Sequence, residues 1–146
     1  PGTTRDAVYL PMKHGDHDWV LIDTAGLRRR KQVARAPEKL AAIKSVRAME
    51  RTEIVLLVVD STQGVTDQDQ RIARMAFTRG KGVVVVLHKW DLVRGDAKLA
   101  RETLEQAKEA LKFLEKPFIV KTSVVGQGRD QGTGRAYNLG DVLAAA

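Results

Sequence analysis

The chain has 146 residues, enough for one domain that buries about 70% of the surface its unfolded form would expose. A hydrophobic content of 43% is typical of globular proteins and excludes a disordered chain. Cysteine is absent, which excludes disulfides and thiolate metal sites, and there is no run of about 18 apolar residues that would span a membrane. We therefore expect a cytoplasmic protein with no membrane partner.

The net charge of +7 is concentrated in one part of the chain. Between Leu27 and Arg51 there are nine basic residues against Glu38 and Glu50, so this segment alone carries +7. A localised basic surface favours a polyanionic partner such as RNA. The densest part of the segment supplies the candidate RNA contacts, with a solvated loop as the alternative: Arg28, Arg29, Arg30 and Lys31.

The first third of the chain predicts a β-hairpin followed by a helix. Asp6–Met12 is a predicted strand, His14–His17 is rich in turn-forming residues, and Trp19–Asp23 is the return strand. Leu27–Pro37 is a basic segment without periodicity, which predicts a loop. In Glu38–Arg51 apolar residues recur at three- and four-residue spacing, which predicts a helix.

The rest of the chain alternates between strands and helices. Three segments predict strands: Ile54–Asp60, Val83–Leu87 and Pro117–Lys121. Two segments predict helices: Gln68–Thr78, begun by Thr66 or Asp67 and closed by Gly80, and Ala97–Leu114. The second helix should bury one face: Leu99, Thr103, Ala107, Ala110, Leu111 and Leu114. A glycine-rich stretch, Gly126–Gly134, precedes a short terminal helix, Leu139–Ala145.

This alternation predicts an α/β fold, a doubly wound and mostly parallel sheet with one antiparallel edge hairpin. In such sheets ligands bind at the carboxyl ends of the strands. The motifs that carry chemistry should therefore follow the strands.

The first motif is Asp-Thr-Ala-Gly, residues 23–26, directly after the return strand. A carboxylate at a strand end can hold a water molecule of Mg²⁺. A glycine three residues later lets its backbone N–H approach a terminal phosphate without a Cβ in the way. The alternative is an acid and a glycine in an ordinary turn.

The second motif is His88-Lys89-Trp90-Asp91, after the strand Val83–Leu87. The Asp91 carboxylate can accept two hydrogen bonds from guanine, from the ring N–H and the exocyclic amine, which adenine cannot supply. The Lys89 stem can lie across the base plane. His88 stands where the usual motif has Asn, and it retains one ring donor and one acceptor. The alternative is a Lys and an Asp that merely lead a helix.

Two further segments gain meaning from their positions. Thr122-Ser123-Val124 follows the last strand, where a backbone N–H can meet the guanine carbonyl. The segment before the first strand can bring a threonine hydroxyl to Mg²⁺, with Thr4 preferred and Thr3 as the alternative. A flexible polar leader is the other interpretation of that segment.

Together these motifs resemble the Der (EngA) family of bacterial GTPases, which carry two G domains in tandem. The resemblance rests on Gly2–Asp6, Asp23–Gly26, Val59–Asp69 and His88–Asp91, and it covers nearly the whole chain. It implies a P-loop-NTPase-like fold, GTP binding and hydrolysis to GDP, Mg²⁺, and a role in assembling the large ribosomal subunit on its rRNA. The basic run Arg28–Lys31 followed by a helix is more similar to the second G domain than to the first.

The resemblance also implies roles for single residues. Thr4 would be the switch threonine and a Mg²⁺ ligand, and Asp23 with Gly26 would form the second switch of the catalytic site. Leu27 stands where many signalling GTPases keep a glutamine, and related GTPases with an apolar residue there can use a K⁺ ion. The nucleotide-binding residues would be Asp23, Thr24, Ala25, Gly26, His88, Lys89, Asp91, Ser123 and Val124.

The phosphate-binding loop G-x-x-x-x-G-K-[ST] does not occur in these 146 residues. In this fold it follows the first strand, which lies between the strands predicted at Trp19–Asp23 and Ile54–Asp60. We therefore expect residues 1–146 to form a partial G domain that needs an upstream segment or a partner to complete its sheet. The second interpretation is an RNA- or ribosome-docking module that has lost nucleotide binding.

Overall fold

A computed structural model describes residues 8–23, 46 and 48–123 of the protein. The chain divides into two compact units, Pro1–Glu53 and Ile54–Ala146. Among the described residues no helix is long and apolar enough to cross a membrane. The expected glycine-rich stretch and terminal helix lie outside the described part of the chain.

The first unit contains the predicted β-hairpin. Strands β1 (Val8–His14) and β2 (His17–Asp23) pair antiparallel, with His14 opposite His17. Gly15 begins the two-residue turn with φ of +59°, a conformation that favours glycine. Both strands extend closer to the turn than predicted. The turn has only two residues, so His14 and His17 on either side of it pair as part of the strands.

The same unit contains the end of the predicted helix Glu38–Arg51. Residues 46 and 48–50 are helical, and Ala48 and Met49 are buried. Arg51 follows them, and its guanidinium donates a hydrogen bond to the Tyr9 hydroxyl at 3.0 Å. The helix end is thereby tied to β1, while most of the predicted helix lies outside the described residues.

The second unit is built on a parallel sheet, as predicted. Strands β3 (Ile54–Asp60), β4 (Gly82–His88) and β5 (Phe118–Lys121) lie in the order β3-β4-β5. The register sets Asp60 beside His88, so the carboxyl ends of the strands share one edge. The central strand β4 is buried over four consecutive residues, which explains its continuous apolar sequence.

Two helices cover one face of this sheet. Helix α1 (Asp67–Thr78) begins with a reciprocal cap, in which Thr66 and Asp69 bond each other's backbone N–H. Helix α2 (Ala97–Ala110) begins at Asp96, whose carboxylate accepts from two backbone N–H groups. Both helices pack in one cluster of buried residues: Leu57, Val59, Ala73, Val85, Leu87, Trp90, Val93, Ala107 and Leu111.

Two predictions for α2 are wrong. Leu99 is 45% exposed, because the side of the helix that packs on the core is centred near Ala107, and Leu99 lies about 80° from Ala107 and about 100° from Ala100 around the helix. The α-helix also ends at Ala110, and a 3₁₀ turn, Lys112–Leu114, replaces its last predicted turn. Pro117 disfavours helical backbone at the residue before it, which explains why the chain does not continue as a helix.

Candidate nucleotide-binding site

The second unit gathers several predicted site residues at the carboxyl edge of its sheet. The backbone ladder continues past the strand ends, since the Ser61 N–H donates to the His88 carbonyl and the Thr122 N–H to the Leu87 carbonyl, both at 2.9 Å. The residues that follow β3, β4 and β5 are therefore held side by side. Open α/β sheets bind their ligands at this edge.

The chain leaves β4 through a sharp turn at Lys89. Its backbone is left-handed, with φ of 60° and ψ of 33°, a conformation that costs a residue other than glycine about 1 kcal/mol. A 3₁₀ turn, Trp90–Leu92, follows directly. Such a conformation persists only where the surrounding structure fixes it.

Trp90 provides that anchor. Its side chain is 3% exposed within the core, and its backbone N–H donates to the Thr122 carbonyl at 3.1 Å. The Lys121 ammonium lies 4.9 Å from the centre of the Trp90 ring, within the range of a cation–π contact. With Trp90 turned inward, its neighbours Lys89 and Asp91 are left at the surface, where the former is exposed and the latter half-buried.

Asp91 is held by a residue from the last predicted site segment. The Ser123 hydroxyl donates a hydrogen bond to Asp91 Oδ1 at 2.5 Å. The two residues are 32 positions apart in sequence, and the parallel pairing of β4 with β5 brings them together. An ionised carboxylate can accept about four hydrogen bonds, so this contact orients Asp91 and leaves it able to accept from a ligand.

Lys89 is held by a carboxylate that the sequence analysis did not select. Its ammonium lies 2.7 Å from Asp60 Oδ2 at the end of β3. The other oxygen, Asp60 Oδ1, accepts from the Thr62 hydroxyl at 2.7 Å and from the Thr62 N–H at 3.0 Å. The bond from Lys89, followed by that from the Thr62 hydroxyl, lowers the pKa of Asp60 to about 2. One sequence signal could have found it, an acid that ends a buried strand beside the strand carrying the lysine.

His88 contacts the loop after β5. Its Nδ1 lies 3.0 Å from the Thr122 hydroxyl, and the direction of the hydrogen bond depends on which ring nitrogen carries the proton. The contact joins the end of β4 to the end of β5.

The other predicted site residues belong to less completely described segments. Asp23 is the last residue of β2 and pairs with Val8. Thr4, the segment Thr24–Gly26, Val124 and the basic run Arg28–Lys31 lie outside the described residues. Their roles in binding phosphate, Mg²⁺ and RNA therefore stay predictions.

The chain is similar to curated GTPases over most of its length. It is 40% identical to GTPase Der of Pelotomaculum thermopropionicum over 144 residues, 99% of this chain and 32% of that protein. It is 42% identical to GTPase Der of Symbiobacterium thermophilum over 119 residues, 82% of this chain and 25% of that protein. The chain spans about a third or less of the length of these relatives.

Solved structures support the fold. The chain superposes on Era in complex with MgGDPNP and a segment of 16S ribosomal RNA with a TM-score of 0.71, at 22% identity, over 98% of this chain and 44% of that one. A probable GTP-binding protein, engB, gives a TM-score of 0.64 at 15% identity over 97% of this chain and 80% of that one. These likenesses confirm the predicted fold, that of GTP-binding domains with a mostly parallel sheet.

A family model fixes the assignment. The model described as 50S ribosome-binding GTPase matches residues 1–89. This range includes the whole motif Asp23–Gly26 and the first two residues of the motif His88–Asp91. The Der relatives extend the similarity beyond that range, through Asp91 and the last strand. The resemblance to Der is thus confirmed, and the chain belongs to the 50S ribosome-binding GTPase family.

Proposed function

We propose that this chain is a G domain that binds guanine nucleotide and hydrolyses GTP to GDP within a ribosome-associated GTPase. The observation that supports this function best is the Asp91 carboxylate, fixed by Ser123 at the carboxyl edge of the sheet. Lys89 lies two residues away on the same turn. The Asp91 carboxylate can accept hydrogen bonds from the edge of a guanine base, and the alkyl stem of Lys89 can lie against its flat face.

Base selection follows from the chemistry of Asp91. Guanine offers two adjacent N–H donors, the ring N1–H and the exocyclic amine, to a carboxylate. Adenine presents an acceptor at N1, so the carboxylate of Asp91 would receive no hydrogen bond from that atom when the base covers it. A site built around hydrogen bonds rejects an analogue that lacks them by a larger factor than an apolar pocket can.

Hydrolysis would depend on the residues that the resemblance assigns to the phosphate side. Thr4 and Asp23 offer a hydroxyl and a carboxylate, oxygen donors of the kind that Mg²⁺ prefers. Bound there, Mg²⁺ would neutralise charge on the phosphates, and a K⁺ ion would add to this where Leu27 replaces glutamine. The Gly26 N–H would approach the terminal phosphate, and Ser123 and Val124 would close over the base.

The ribosomal partner is the finer part of the proposal. The description of the family names the 50S subunit, and the basic run Arg28–Lys31 gives the chain a means of contacting rRNA phosphates. We propose that the protein acts in assembly of the large ribosomal subunit in the cytoplasm.

A thermal-melt series on the full-length protein tests the proposed function. GDP or GTP with Mg²⁺, at about 100 times the dissociation constant, should stabilise the protein by about 2.7 kcal/mol. ATP at the same concentration should leave the melting temperature unchanged, because it cannot satisfy Asp91. Equal shifts with ATP, or no shift with guanine nucleotide, would contradict the proposal. Salt-sensitive RNA binding without any nucleotide shift would instead support a docking module.

A further inference from the structure

Asp60 is a firmly held carboxylate at the carboxyl edge of the described sheet. Its side chain is 11% exposed, and both of its oxygens are engaged. Oδ1 accepts two hydrogen bonds from Thr62, which lies two residues further along the chain. Oδ2 faces the Lys89 ammonium at 2.7 Å. The position of the carboxylate is therefore set by its own strand and turn, independently of Lys89.

Lys89 is the opposite case, a long side chain that is 48% exposed. An unrestrained lysine samples many rotamers, and a ligand that needs one of them must first overcome that entropy. Here both ends of the side chain are restrained. The backbone is fixed in the left-handed conformation beside buried Trp90, and the ammonium is fixed by Asp60.

The restrained stem between these two ends has a direct use in the proposed base site. Four methylene groups form an apolar surface against which a flat base can lie, while Asp91 on the same turn reads the edge of that base. A stem that is already in place lets the base bind without ordering the lysine first.

We propose that Asp60 is a positioning residue, which holds Lys89 in the conformation that covers the face of the bound base. This inference rests on the proposed guanine site. Asp60 itself does not touch the nucleotide. It therefore contributes to affinity for any base that the pocket admits, and it does not contribute to the choice between bases, which belongs to Asp91.

The test compares GDP with inosine diphosphate, which lacks the exocyclic amine, on the full-length protein. Asp60→Asn should weaken binding of both by the same factor, roughly fivefold to tenfold, as expected for the loss of one charge-assisted hydrogen bond that solvent around exposed Lys89 weakens. The ratio of the two affinities should stay at its wild-type value. A purely structural defect would weaken binding whether or not Lys89 is present. The substitution is therefore repeated in a Lys89→Met background, which keeps an unbranched apolar stem but has no ammonium. There Asp60→Asn should have no further effect.

Two variants complete the design. Glu115→Gln removes the same charge from an exposed residue before β5, at the opposite edge of the sheet, and should bind both nucleotides like the wild type. Thr62→Val keeps both members of the ion pair and removes one hydrogen bond to Asp60. It should cause a smaller loss in the same direction, and it keeps the test valid if Asp60→Asn fails to fold.

The outcomes separate the two proposals. If the wild type binds no guanine nucleotide, the proposed function fails and this inference fails with it. If the wild type binds GDP and Asp60→Asn binds equally well, only the inference is overturned. Tighter binding by Asp60→Asn would show that the ion pair is a latch that must open for the nucleotide. A changed ratio of GDP to inosine diphosphate affinity, or additive effects of the two substitutions, would overturn it as well.

Discussion

His88 stands at a position where GTPases of this kind usually have an Asn, and its ring still reaches the neighbouring loop. The Nδ1 atom meets the Thr122 hydroxyl at 3.0 Å, and Thr122 is buried. A side chain of different shape thus makes the contact between the loops after β4 and β5.

A double-mutant cycle on this pair gives a prediction at the residue scale. His88→Ala and Thr122→Val should each lower the free energy of unfolding, and the double variant should lose about 1 kcal/mol less than the sum, the value of one hydrogen bond. His88→Asn should retain most of the wild-type stability, because its amide offers both a donor and an acceptor. Urea unfolding of the wild type and the four variants measures these differences. Strictly additive losses would show that the contact contributes nothing.

At the scale of elements, three side-chain contacts join the strand ends of the second unit. The Asp60–Lys89 pair joins β3 to the turn after β4, while His88–Thr122 and Asp91–Ser123 join β4 to the segment after β5. Each contact pairs a residue near one strand end with a residue near the next. These contacts hold the side chains at the edge that we propose to bind guanine, and side chains held in position favour tight binding.

The Asp60–Lys89 pair also predicts a pH dependence of stability. The pKa of Asp60 is about 2 in the folded protein, below the ordinary value of 3.8, so the folded state binds the proton more weakly. Its contribution to the free energy of unfolding is fully present above about pH 4 and is lost as the pH falls towards 2. It amounts to at most about 2 kcal/mol, and solvent around half-exposed Lys89 reduces it.

Urea unfolding of the wild type and of Asp60→Asn measures this contribution. The wild type should be the more stable protein at pH 6, and the difference should shrink steadily between pH 4 and pH 3. Glu115→Gln, which removes an exposed carboxylate outside the pair, serves as the matched control. A difference between wild type and Asp60→Asn that is the same at pH 6 and pH 3 would contradict the assignment.

At the scale of the whole molecule, patterns local in sequence predicted the elements well. The bounds of β3, Ile54–Asp60, were predicted as observed, because a continuous apolar run between Glu53 and Asp60 leaves little choice. Leu99 was predicted to be buried and is exposed, because position around the helix and not side-chain size decides burial. The small Ala100 faces the core instead, as its place on the helix dictates.

The site was predicted less completely than the fold, for a physical reason. The motif around Asp91 is contiguous, and the segment Thr122–Val124 was expected at the same edge because it follows the last strand. The pairing of Lys89 with Asp60, 29 residues apart, depends on β3 lying next to β4 with Asp60 and His88 in register. No local pattern contains that information, and so Asp60 and Thr62 were missed.

The central claim is that Asp91 reads the edge of guanine, and its most direct test is a change of base preference. Asp91→Asn replaces one carboxylate oxygen by an amide N–H donor, which suits the C2 carbonyl of xanthine and opposes the exocyclic amine of guanine. In equilibrium titrations of the full-length protein, the variant should bind GDP at least about 100-fold more weakly than the wild type and should prefer xanthosine diphosphate. An Asp91→Asn protein that binds GDP as the wild type does, with xanthosine diphosphate no better, would contradict the claim.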